Sequence, residues 1–140
     1  HATADQESFS VRFEAPELVP EYSESLTADV EATQLTLVTV PADLMAINGS
    51  VVSGKVFAVQ PTLMATDSDS LTDINYQSAI LVNLTAGVGT LGGNATAVAT
   101  SGAASFHDLK YTAAADAEKF ELNFLGDDNI EKFSKKYFDL

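Results

Sequence analysis

A chain of 140 residues is long enough for one ordinary domain with some flanking sequence. It holds no cysteine, which excludes disulfides, zinc–thiolate sites and a cysteine nucleophile. Against 7 basic residues stand 20 acidic ones, and the formal net charge of -13 repels nucleic acid and anionic membrane surfaces while favouring a solvated acidic surface, cation binding or a salty medium. No apolar run is long enough to span a membrane, and no basic stretch followed by an apolar one opens the chain. The targeting segment of an exported parent is therefore expected to lie outside these residues or to have been removed.

The first element in chain order is the amphipathic stretch "TADQESFSVRF", in which Phe9, Val11 and Phe13 alternate along one face. Residues 16–32 follow as an acidic, proline-containing linker. From Thr33 the chain is written in strands. "TQLTLVTV" alternates at Leu35, Leu37 and Thr39, and "GKVFAVQPTLMATD" carries a second run with Pro61 inside it, which predicts an edge strand or one bent there. "SAILVNLTA", "NATAVATSG" and "AASFHDLKYTA" are the next runs, and "EKFELNF" closes the series with Phe120, Leu122 and Phe124 at period two. Turn signals separate them at Asn48, at Thr66–Asp73, across "GVGTLGGN" and at Thr100. Short strands at this spacing predict an all-β, immunoglobulin-like antiparallel sandwich of about seven strands over residues 33–125. Residues 126–140 read as a tail with a short helix, since Ile130, Phe133 and Tyr137 share a helical face.

The two ends of the chain say nearly the same thing. Phe9 and Phe120 stand 111 residues apart, and at that offset Ala2, Ala4, Asp5, Glu7 and Phe13 meet Ala113, Ala115, Asp116, Glu118 and Phe124, with Val11 opposite Leu122. Two unrelated amphipathic strands share an alternation but seldom the lead-in as well. The expectation is a tandem array, in which residues 1–15 are the closing strand of a preceding repeat. Alternatively they are a strand donated to an exposed sheet edge of this molecule or a neighbour. Either way Phe9, Val11 and Phe13 are the candidate pairing residues.

The stretches "LTLVTVP", "VSGKVFAVQPTLMATDSD", "TDINYQSAILVNLTAGVGTLGG" and "TAVATSGAASFHDLKYTAAADAEKFELNF", taken in order, resemble the Ig-like tandem repeats of large bacterial and archaeal surface proteins and adhesins. The likeness covers about Leu35–Phe124. It implies a secreted or surface-anchored spacer or adhesion module rather than an enzyme, located outside the cell or on its surface. Its partners would be neighbouring repeats or identical subunits, without nucleic acid and without direct membrane insertion. The acidic lead-in and the tail "EKFSKKYFDL" depart from the short linker usual in such repeats.

Chemistry is sparse. No G-x-S-x-G, no phosphate-binding glycine motif and no second histidine in the core region supports catalysis. His1 and His107 form a remote copper alternative, with the terminal amine as a further ligand. No cofactor is required, but calcium is the best chemical candidate. Asp67, Asp69 and Asp73 are closely spaced oxygen donors in one loop, although the Gly and closing Glu of an EF-hand are missing. Asp116 and Glu118 form a second candidate calcium set, at a junction between domains. Asn48, Asn83 and Asn94 begin three N-x-S/T sequons, which are glycosylation candidates if the source is a eukaryote or an archaeon.

Overall fold

The structure, a computed structural model, describes residues 2–41, 51–126 and 136–139, the last four as backbone only. In chain order the strands are β1 (Glu7–Phe9), β2 (Arg12–Phe13), β3 (Glu21–Tyr22), β4 (Leu26–Ala28), β5 (Gln34–Thr39), β6 (Thr62–Thr66), β7 (Ala79–Ala86), β8 (Thr90–Gly92), β9 (Thr96–Val98), β10 (Ala103–Ser105), β11 (Lys110–Thr112), β12 (Lys119–Gly126) and β13 (Lys136–Asp139). The described residues contain no helix, and every ladder is antiparallel.

Two sheets form the body, ordered β10-β6-β5 and β13-β12-β7-β9. Each strand alternates, so one set of side chains turns inward. Leu35, Leu63, Ala65 and Ala104 from the first sheet join one buried cluster with Ile80, Val82, Ala97, Phe120, Leu122 and Phe124 from the second. Phe106, which follows β10, meets Phe124 with ring centroids 5.7 Å apart. The chain is thus an all-β sandwich with a continuous apolar interior, and burial of such large side chains contributes roughly 1.5–3 kcal/mol each.

Pro61 marks a change of sheet. Before it, Gly54 and Phe57 donate backbone bonds to the carbonyls of Tyr111 and Leu109, and Val56 bridges Lys110. After it, β6 pairs with β5 on one side and β10 on the other. The bend expected from the proline is present, but β6 is a central strand rather than an edge. Pro61 stands just ahead of its first residue, where no ladder N–H is needed. β8 was hidden inside "GVGTLGGN", which reads as a turn alone; residues 90–92 pair with β11 instead.

Both flanks differ from a plain linker and tail. β1 pairs with β4 and β2 with β3, so the N-terminal region, acidic stretch included, is a two-stranded hairpin. Phe9 faces Leu26 while Arg12 faces Tyr22, which leaves one extra residue on the return strand. There the Ser23 hydroxyl accepts the Val11 N–H at 2.9 Å. Val30 and Ala32 are already buried. At the other end, the helix expected over the tail is corrected: Lys136–Asp139 is a strand hydrogen-bonded to β12. A short helix is marginal on its own, and the open edge of β12 offers the tail a full ladder. Ile130 and Phe133 lie outside the described residues.

Candidate functional site

The repeated sequence folds twice into the same loop. Gln6 and Ala117, at matching positions, both take the left-handed backbone conformation, with φ of 57° and 54°. Neither is glycine, so each turn is held against a local cost. The holding group is the same in both. The Thr3 N–H donates to Glu7 Oε2 at 2.6 Å, and the Ala114 N–H donates to Glu118 Oε2 at 2.7 Å. A carboxylate four residues on thus closes the lead-in just before the strand begins.

Beyond that shared loop the two copies live in different surroundings. Glu118 Oε1 accepts the N–H groups of Val88 and Gly89 at 2.6 and 2.8 Å and the Tyr111 hydroxyl at 2.5 Å. Tyr111 in turn stacks on Phe120, centroids 3.9 Å apart and planes 10° from parallel. Gly89 is required here, because a Cβ on it would stand 2.3 Å from the Thr112 carbonyl oxygen and 2.7 Å from the Tyr111 hydroxyl. The Tyr111 hydroxyl bond, helped by the backbone donors, holds the Glu118 carboxyl down at about 2. Burial, reinforced by the neighbouring carboxylate, pushes the Tyr111 phenol up.

Glu7 accepts from Thr3, through its N–H and its hydroxyl, and from the Ala4 backbone, all within its own lead-in. The Thr3 backbone bond lowers its carboxyl. Phe9 is 45% exposed and Phe13 60%, where Phe120 and Phe124 are 0% and 1% exposed. Val11 is exposed as well, and Leu26 beside Phe9 and Leu18 and Val19 at the hairpin tip extend the apolar surface. The first copy therefore has the strand and its lead-in but none of the sandwich that covers the second.

Asp5 and Asp116 reverse that contrast. Asp5 Oδ1 accepts the N–H of Val30 at 2.7 Å and of Gln6 at 2.7 Å, and Oδ2 accepts that of Ile74 at 2.9 Å. Desolvation raises the Asp5 carboxyl, but these three backbone donors together outweigh it, and the group is lowered. Gln6 and Asn75 both donate to Asp29 Oδ1. These bonds join the N-terminal lead-in to the loop that follows β6. Asp116 is exposed and accepts no hydrogen bond among the described residues.

The other candidates are placed as follows. Asp67 Oδ1 accepts the N–H groups of Asp69 and Leu71, both at 2.9 Å, and Asp69 is exposed. Asp73 is buried, and its two oxygens accept the N–H groups of Ala32 and Asn75. The Asp67 and Asp73 carboxylates cap backbone amides, so a calcium ion would have to compete with those donors. Both oxygens of Glu118 likewise accept hydrogen bonds. Among the described residues no group of three or more His, Asp or Glu side chains could hold a metal ion. His107 is exposed between β10 and β11, and His1 lies outside the described residues. Asn83 and Asn94 are exposed, and Asn48 lies outside the described residues.

Sequence reasoning missed the Tyr111–Glu118 network, the Asp5 contacts and the return strand. One signal was on the page: the i, i+4 spacing that places a backbone donor opposite Glu7 and again opposite Glu118. No family model, no curated protein and no solved structure matches the chain.

Proposed function

We propose that the chain is a non-catalytic structural module, an Ig-like sandwich from an exported tandem-repeat protein that acts as spacer and assembly unit at the cell surface. The observation that supports this reading is the doubled closing strand. One copy completes a sandwich through Phe120, Leu122 and Phe124, and the other presents the same pattern uncovered at Phe9, Val11 and Phe13. A second copy of the strand with its lead-in already formed is the pattern expected of modules in a repeat array. The reading needs no cofactor, and its partners are neighbouring modules.

The exposed apolar hairpin favours a second reading, a subunit of an extracellular filament or surface layer joined by strand donation. Solution mass separates the two. Sedimentation of the full chain across a wide concentration range is expected to give a monomer of 14.8 kDa, in keeping with its charge of -13. Growth into polymers with concentration would replace the spacer with the filament subunit.

A further inference from the structure

The doubling extends past the closing strand. At the same offset Val19, Tyr22 and Ser23 meet Ile130, Phe133 and Ser134, and β4 falls on residues 137–139, inside β13. β1 and β12 are both followed by an antiparallel return strand, paired in registers that differ by one residue: Phe9 with Leu26, and Phe120 with Phe138. Residues 112–140 thus correspond to residues 1–29, and the first set ends where the sandwich it adjoins begins, at Val30.

That junction is displayed in full at the N-terminal end. Asp5, at the foot of a closing strand, holds the next sandwich by two backbone N–H groups, one from the residue that enters it (Val30) and one from its loop (Ile74). We infer that Asp116 is the corresponding joint residue for a following module, whose counterparts of the Val30 and Ile74 N–H groups its carboxylate accepts. An open recess of about 510 Å³ lies beside it, lined by Val51, Ser53 and Ala113 to Asp116. A second whole copy of this chain is a poor occupant, because its own Asp5 already takes the Ile74 N–H. The second joint is also the weaker of the two. Gln6 and Asp29, which reinforce the first, are matched by Ala117 and Leu140.

The inference rests on the tandem-module reading, and the test keeps the two apart. In the chain as it stands, Asp5→Ala is expected to speed hydrogen exchange at the Ile74 amide by about tenfold, and Asp116→Ala to leave it unchanged. The chain is then extended after Leu140 by a second copy of residues 30–140. In that protein Asp116→Ala is expected to speed exchange about tenfold at the second copy's counterpart of Ile74 and to leave the first copy alone. A folded second copy whose amide ignores Asp116→Ala overturns the joint and leaves the modular reading standing. A second copy that does not fold overturns both.

Discussion

Glu118 is the residue that holds the turn into β12. It gathers three backbone N–H groups and the Tyr111 hydroxyl, so the carboxylate form is strongly preferred in the folded chain. Its carboxyl drops from 4.5 to about 2 on folding, and a depressed acid stabilises the fold above its unfolded value. That contribution is lost as pH falls from 4.5 through about 2, and Glu7 and Asp5 act in the same direction. Tyr111→Phe removes the largest cause of the shift while keeping the ring on Phe120. It is expected to cost about 1 kcal/mol at neutral pH by urea unfolding. The gap to the wild type should narrow as pH drops across that window, because protonated Glu118 no longer rewards the hydroxyl. A gap that stays constant from neutral to strongly acid pH would contradict this role.

At the scale of the strand, β1 and β12 follow the same lead-in, but β1 is three residues paired with β4 alone, whereas β12 is eight residues paired on both sides and buried. The difference in burial is read most directly at the matched phenylalanines. Phe120→Ala empties a site under Tyr111 and between Phe57 and the second sheet, and is expected to cost about 3–5 kcal/mol in chemical denaturation. Phe9→Ala removes a ring that is nearly half exposed and is expected to stay within about 0.5 kcal/mol of the wild type. Comparable losses at the two positions would mean that the N-terminal strand already has a core of its own. The period-two patterns at Leu35–Thr39 and Phe120–Phe124 were enough to find β5 and β12, because their apolar residues alternate toward the buried cluster, although β12 also buries Glu121 and Asn123 on its other face. β8 was not legible, since its three residues sit between glycines that also spell a turn. Nor was β13. The aromatic spacing of the tail fits a helix as well as a strand, and the choice is made by the free edge of β12, which local sequence does not reveal.

For the whole molecule, the sandwich and the doubled strand could be read from the sequence, whereas the joint between them could not. The doubling was visible because identical residues recur at one spacing, from Ala2 and Ala113 to Phe13 and Phe124. The joint depends on Asp5 reaching the backbone of Ile74, 69 residues away, and backbone donors leave no mark in a sequence. The same holds for Asp67 and Asp73 of the "DSDSLTD" loop, whose partners are amides of their own loop and of Ala32. On the proposed modular reading, modules joined in this way would form a line in which each closing strand belongs to one sandwich and its lead-in grips the next.

The most direct measurement supplies the sandwich that β1 lacks. The chain is extended at its front by a copy of residues 33–111, so that residues 1–13 occupy the place that 112–124 hold in the native domain. Hydrogen exchange is then followed at the amides of Glu7 to Phe13. If this segment is the closing strand of a preceding module, those amides slow by orders of magnitude toward the rates of β12, and Phe9 and Phe13 become buried. If they exchange as they do in the unextended chain while the added copy folds without them, the N-terminal strand is not a closing strand, and the modular reading is wrong.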